Sequence, residues 1–260
     1  MRHVNQLPRI VLKATLVLLS VALAIPVQVK AQTASVAEQY LLAAANQERA
    51  ARGLPELHRD PVLAKAAAFH ATQMADHGDI AHEFPGEPSL TTRGATAGVR
   101  FSLIAENVAE APDSVLIHDM WMHSEGHRAN LLDPRVNVVG ISVIVRDQQL
   151  YAVEDFASTV QTLSLNQQEQ TVASVIAQSG MKVDDSTEDA RETCTMTTGH
   201  AGARQPWYIM RYTASSLTDL PSQLRTRLSS GRYRQAVVGA CAVPSRGPFT
   251  AYNIAVLLYP

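Results

Sequence analysis

Apolar and polar residues alternate along the first part of the chain with the three- and four-residue spacing of amphipathic helices. Ser35 and Glu38 are spaced as a capping box, and Gly53 supplies a left-handed stop, so a first helix is predicted between them. A second helix is predicted to begin at Asp60 and to end at Gly78. Its apolar stripe includes a histidine, His70, which is predicted to be solvated or partly packed.

The pattern then changes. Segment 79–105 has no regular period and contains several prolines and glycines. This composition predicts a long loop that is functional or covers a functional site. Asp113 is the predicted N-cap of a third helix, and Gly126 is predicted to break it. Two apolar stretches, 138–145 and 150–156, flank a polar turn and predict a β-hairpin. This order of elements indicates an α+β domain that closes at the end of the hairpin.

A polar joint leads into a second region with its own helices and strands. The pattern predicts the following elements: a helix at 172–178, a strand at 207–212, a helix at 222–228, and a hairpin of 236–242 with 251–259, turning at 244–248. Neither a helix nor a strand is predicted for the charged stretch 182–192. Trp207 and its tyrosine neighbours are interpreted as strand packing, with a carbohydrate-stacking surface as the alternative.

One short motif occurs twice. The sequences NVVGI at 137–141 and AVVGA at 236–240 each open a hairpin. A degenerate internal repeat and a chance likeness between two buried valine–glycine strands are both open, and chance is the preferred interpretation.

Composition and charge narrow the function classes. Hydrophobic residues make up 46% of the chain and charged residues 18%, so the chain can bury a core and is not broadly disordered. The net charge of −2 gives no electrostatic basis for nucleic acid as a partner.

Residues 1–31 have the pattern of a secretory signal peptide. Basic residues precede an apolar stretch at 14–27, and Val29 and Ala31 suit a cleavage site. The stretch is shorter than the roughly 20 residues that span a bilayer, although an uncleaved anchor is the alternative. We expect a secreted or periplasmic mature chain with no integral membrane span. Cys194 and Cys241 are then expected to form a disulfide, with two free thiols as the alternative.

The most informative stretch is 106–132, which reads ENVAEAPDSVLIHDMWMHSEGHRANLL. It resembles the core signature of the CAP superfamily (cysteine-rich secretory proteins, antigen 5 and pathogenesis-related 1), in its cysteine-poor bacterial form. Further matches over 39–157 are Asn46, Arg49, Pro55-Glu56-Leu57, His82, Arg93, Val139-Gly140-Ile141 and 151–156. The resemblance implies an α+β fold: a CAP-type α–β–α sandwich at 32–160, followed by a smaller α+β region at 161–260 of no recognised family.

The resemblance also implies a central cleft. In the family, two histidines and two acids converge there and in several members hold a divalent metal. The matching residues are His82, His127 and Glu106, while Ser124 stands where eukaryotic members carry the second acid. We hypothesise that Glu125 supplies the charge that Ser124 lacks.

The chemistry of this set leaves several interpretations open. Two imidazoles and a carboxylate suit a divalent metal such as zinc, with an open position for water. Alternatively, the histidines hydrogen-bond Glu106 as structural polar groups. Ser124 with His127 could form a nucleophile–base pair, although no orienting acid is indicated. Glu154 and Asp155, at the hairpin end, are predicted to be exposed, with one facing the cleft as the alternative.

We therefore expect an exported, non-enzymatic protein whose cleft binds a small ligand or a divalent metal. The alternatives are a metal-dependent hydrolase acting on peptide or cell-wall bonds and an interaction protein that docks on an envelope component.

Overall fold

The computed structural model describes residues 34–242 and 248–260. The predicted signal peptide and most of the predicted turn at 244–248 lie outside these ranges. None of the helices in the described ranges combines the length and apolar character that a membrane crossing requires.

The first sheet belongs to an α–β–α sandwich, which confirms the predicted fold. The elements in chain order are α1 (Val36–Ala50), β1 (His58–Arg59), α2 (Leu63–His77), α3 (Leu90–Ala97), β2 (Phe101–Ala111), α4 (Ser114–His123), α5 (Glu125–Leu131), β3 (Val138–Arg146) and β4 (Gln149–Thr159). The strand order is β1-β3-β4-β2, with β1 parallel to β3 and the other pairs antiparallel.

Alternate residues of β4 face opposite layers of this sandwich. Ala152 and Phe156 pack with α1 and α4, where Trp121 is fully buried. Val153, on the other face, packs with α2 around Met74. This two-residue period is the one expected of a strand covered on both faces.

Local signals explain where the helices begin and end. The Ser35 hydroxyl accepts a hydrogen bond from the Glu38 backbone N–H, and the Glu38 carboxylate accepts one from the Ser35 backbone N–H. The predicted capping box is therefore present. Asp60 accepts hydrogen bonds from two backbone N–H groups, but α2 itself begins at Leu63, later than predicted. It ends at Gly78, whose φ of 62° is left-handed as predicted.

Two predictions about the middle of the domain are wrong. Segment 79–105 is not one loop, because it contains α3 and the start of β2. The strand escaped prediction because polar residues, Glu106 and Asn107, occupy buried positions and interrupt its apolar pattern. The helix break falls at Ser124, with ψ of 124°, and Gly126 lies inside α5.

The second sheet lies in the C-terminal region. Its elements are α6 (Leu165–Ala177), β5 (Lys182–Asp184), α7 (Glu188–Thr195), β6 (Tyr208–Ala214), α8 (Ser222–Leu228), β7 (Gln235–Cys241) and β8 (Tyr252–Tyr259). The strand order is β5-β7-β8-β6. The charged stretch at 182–192 thus holds a strand and most of a helix, and α6 begins earlier than predicted.

The predicted disulfide is present and one surface prediction is wrong. Cys194 and Cys241 are bonded, with their Cα atoms 5.8 Å apart. Trp207 is not packed in a strand, since it precedes β6 and remains 60% exposed. The two sheets meet where the Thr250 N–H donates to the Phe101 carbonyl at 2.7 Å. A domain boundary near residue 160 stays a prediction.

Candidate ligand cleft

A buried carboxylate lies at the centre of the candidate site. Glu106, on β2, is 4% exposed. Its Oε1 lies 2.9 Å from Nδ1 of His82, which comes from the loop after α2. Its Oε2 pairs with the guanidinium of Arg93, on α3. Both oxygens are therefore held by cationic or hydrogen-bonding side chains.

A second layer of charged side chains supports this pair. Glu87 lies 3.4 Å from Arg93 and 2.7 Å from Nδ1 of His70. The other ring nitrogen of His70 contacts the carbonyl of Ala81 at 2.7 Å. His70 is fully buried, so the prediction that it is solvated or partly packed is wrong. The result is one network in which carboxylates and cations alternate.

The network sets the charge of its members. Burial by itself raises the pKa of Glu106, but the His82 hydrogen bond and the Arg93 charge outweigh it, and the pKa falls below its usual value. The same hydrogen bond raises the pKa of His82. For His127, burial and the nearby His82 charge lower the pKa. In mildly acidic solution Glu106 is therefore charged and His82 carries a proton.

Two further carboxyl groups lie inside the sheet. Asp155, on β4, is paired in register with Glu106 on β2 and is fully buried. Burial and the charge of Glu106 raise the pKa of Asp155 well above its ordinary value, which favours the neutral form of its carboxyl. Glu154 points to the opposite face, where burial raises its pKa to about 8. The prediction that this pair is exposed is wrong.

An open cleft of about 420 Å³ lies over Glu106. Its lining consists of His82, Glu83, Ser89, Leu90, Thr91, Ala105, Glu106 and Asn130. Asn130, on α5, donates to the Glu106 carbonyl at 3.1 Å, which ties α5 to β2. The His82 side chain is 63% exposed even though its Nδ1 is anchored. Its second ring nitrogen is therefore accessible to a ligand in the cleft.

Comparison with known proteins gives the same family as the sequence signature. Residues 42–161 match the family model described as the cysteine-rich secretory protein family, CAP. This part of the chain belongs to the CAP superfamily. It is similar to YkwD of Bacillus subtilis, with 30% identity over 113 residues, 42% of this chain and 43% of that protein. The B. subtilis membrane protein YlbC is 31% identical over 118 residues, 44% of this chain and 33% of that protein. This chain thus spans less than half the length of either relative.

Two solved structures also resemble part of the chain. One is an extracellular SCP-domain protein from Bacillus anthracis, 30% identical, with a TM-score of 0.43 over 46% of this chain and 40% of that one. Another is an outer surface protein of Borrelia burgdorferi, 19% identical, with a TM-score of 0.45 over 47% of this chain and 92% of that one.

The CAP domain brings some of the predicted residues together and leaves others apart. His82 and Glu106 are in contact, and His127 is near enough for the His82 charge to act on it. Ser124 is the junction between α4 and α5, and Glu125 is exposed on α5. Neither residue lines the cleft.

Sequence reasoning gave no role in the cleft to His70 or Glu87, counted Arg93 only as a match to the family signature, and offered a cleft-facing Asp155 or Glu154 only as the alternative to an exposed pair. One signal was available for His70. It lies in phase with Ala67, Ala71 and Met74, on the buried stripe of α2. A polar residue at an apolar phase indicates a buried hydrogen-bond network.

The side chains around Glu106 oppose a metal ion at its carboxylate. The Glu106 oxygens are already paired with His82 and Arg93, and a guanidinium cannot share a carboxylate oxygen with a dication without repulsion. Within the described ranges, no three His, Cys, Asp or Glu side chains are grouped as metal ligands. Metal binding by His82, His127 and Glu106 stays a prediction, which a titration can test.

Proposed function

We propose that this chain is an exported CAP-domain protein whose cleft binds a small polar ligand without chemical turnover. The observation that carries the proposal is the anchored, exposed imidazole of His82. Glu106 fixes the orientation of the ring through Nδ1 and raises its pKa, so His82 presents a cationic donor among the residues that line the cleft.

The lining of the cleft defines the ligand class. His82 supplies a cationic donor, while Ser89 and Thr91 supply hydroxyl groups. Such a site favours a small molecule with a carboxylate or another strong hydrogen-bond acceptor. We expect the ligand to approach His82 from solvent and to leave the buried network below it unchanged.

The same contacts argue against acid–base turnover. A general base needs a free lone pair facing the substrate, whereas both Glu106 oxygens face protein cations. Ser124 does not line the cleft, so the predicted nucleophile–base pair has no access to a ligand there. A hydrolase of peptide or cell-wall bonds and an envelope-docking protein are the competing functions.

Binding is tested by NMR on the mature chain, with acetate and Zn²⁺ as separate probes. We expect acetate to shift the backbone amide resonances of the cleft residues Ser89 and Thr91 saturably, and His82→Ala to abolish these shifts. His123→Ala is the matched control, because His123 is an exposed histidine on α4. Acetate binding that survives His82→Ala would overturn the proposal. Tight Zn²⁺ binding that both His82→Ala and His127→Ala abolish would replace it with the metal site.

A further inference from the structure

The two sheets of this chain have the same topology. In each, the first strand is parallel to the third, the third pairs antiparallel with the fourth, and the fourth with the second. In each, a helix precedes the first strand and another helix joins the first strand to the second. The leading helices, α1 and α6, also both begin with a capping box.

Each sheet also contains a glycine at the same place. An added Cβ on Gly140 of β3 would lie 2.4 Å from the backbone of Leu63 in α2. An added Cβ on Gly239 of β7 would lie 2.1 Å from the backbone of Ala190 in α7. In both sheets the third strand lies so close to a helix, β3 to α2 and β7 to α7, that only glycine fits. The two short motifs therefore share a structural role, which argues against chance.

The register around the two glycines gives a residue-by-residue correspondence. Gly140 is paired with Asp155, which is paired with Glu106. Gly239 is paired with Ala255, which is paired with Arg211. Ala255 thus corresponds to Asp155, and Arg211 to Glu106.

A third likeness lies on the side of each third strand that faces the first strand, beyond the residues that the first strand pairs. The two positions are not the same, being three residues after Gly140 and one residue after Gly239. Glu38 of α1 accepts a hydrogen bond from the Val143 N–H at 3.3 Å. Glu169 of α6 accepts one from the Ala240 N–H at 2.9 Å. In both cases a glutamate of the leading helix satisfies a strand N–H that has no neighbouring strand to bond.

We propose that the C-terminal region is a second copy of the CAP fold that has lost the cleft chemistry. Arg211 stands where Glu106 should be, and its guanidinium donates to the carbonyls of Thr193 and Gly199. In the described residues 196–207, which join α7 to β6, no helix corresponds to α3. The carboxylate that anchors His82 therefore has no counterpart in the second sheet, and the part of the chain that the structure describes holds one CAP-type cleft.

The correspondence makes a prediction about the disulfide. Cys194 lies four residues after Ala190, and Cys241 lies two residues after Gly239. The corresponding positions in the first sheet are Ala67, four residues after Leu63, and Ser142, two residues after Gly140. These residues are 0% and 5% exposed. If the two units are copies, Ala67 and Ser142 lie at the separation of a disulfide pair.

The test is the double variant Ala67→Cys/Ser142→Cys in the full mature chain. We expect a second disulfide, with no free thiols by quantitative alkylation and mass spectrometry. The matched control is Ala67→Cys/Val143→Cys, because the Val143 side chain points to the opposite face of β3. The control should keep two reactive thiols after denaturation.

A folded double variant that stays reduced would overturn the correspondence. If the variant fails to fold, the unaltered chain provides the measurement. The Ala67 methyl group should show a nuclear Overhauser effect to the Ser142 side-chain protons. Its absence in an assigned spectrum would equally contradict the proposal.

Discussion

The imidazole of His82 and the carboxylate of Glu106 are joined at 2.9 Å although the two residues are 24 positions apart. The His82 side chain is 63% exposed, and the Glu106 side chain is 2% exposed. A buried, charged acceptor therefore holds a solvent-facing donor in one orientation. This relationship is the basis of the proposed ligand site.

The first prediction concerns the protonation of His82. Its pKa should lie above the ordinary histidine value, and Glu106→Gln should lower it, because the charged acceptor is lost. An NMR titration of the ring protons measures this directly. Since the folded pKa is raised, any stabilisation is complete below pH 6.5 and is lost as the pH rises through the folded pKa. Equal pKa values in the two proteins would contradict the assignment.

The second prediction concerns Arg93. Arg93→Met should lower the free energy of unfolding by about 3–5 kcal/mol, because Glu106 is left as a buried charge without its guanidinium. Urea unfolding of the mature chain measures the loss. The control is Arg52→Met, since Arg52 forms an exposed ion pair with Glu48 that is worth less than about 1 kcal/mol. If Arg93→Met and Arg52→Met lose similar amounts of unfolding free energy, the Arg93–Glu106 ion pair does not stabilise the buried network.

The third prediction concerns Glu154. Both of its carboxylate oxygens are buried without a hydrogen-bond partner, and burial raises its pKa to about 8. Since the folded pKa exceeds the unfolded value, the wild type should lose stability as the pH rises from 4.5 to about 8. The loss is on the order of 5 kcal/mol across that window.

Glu154→Gln should remove the part of this pH dependence that Glu154 contributes, because the amide cannot ionise, while the part from Asp155, whose pKa is also raised, should remain. Thermal unfolding of both proteins between pH 4.5 and pH 9 is the measurement. Glu125→Gln serves as the control, since Glu125 is exposed on α5. If the wild type and Glu154→Gln lose stability in parallel, Glu154 is not the titrating group.

The fourth prediction concerns the paired glycines. Gly140→Ala and Gly239→Ala should each destabilise the chain by about 1–3 kcal/mol or more, because the new methyl group meets helix backbone. Gly126→Ala should be neutral or stabilising by up to about 1 kcal/mol, since Gly126 is helical and nothing lies within 4 Å of an added Cβ. Chemical denaturation of the three variants tests this, and a tolerated Gly140→Ala would refute the close approach.

Several signals that act within a few residues were read correctly from the sequence, although the start of α2 and the break after α4 were not. The capping box of Ser35 gave α1, Asp113 gave the start of α4, and α8 has the predicted bounds. The hairpin of β3 and β4 followed from two apolar strands around a polar turn. Strand β2 was missed because Glu106 and Asn107 are buried polar residues, and their hydrogen-bond partners come from distant parts of the chain.

The sequence by itself indicated the CAP family, several helices, both hairpins, and a disulfide as the preferred state of the two cysteines, because these depend on short patterns and on residue counts. Only the tertiary structure decided that His82 reaches Glu106, that Arg93 pairs with it, and that Asp155 is buried beside it with a raised pKa. It also decided that Gly140 and Gly239 have one role in two sheets of the same topology. The physical reason is that burial and cross-strand register, which set these contacts and charges, arise only when distant segments pack together.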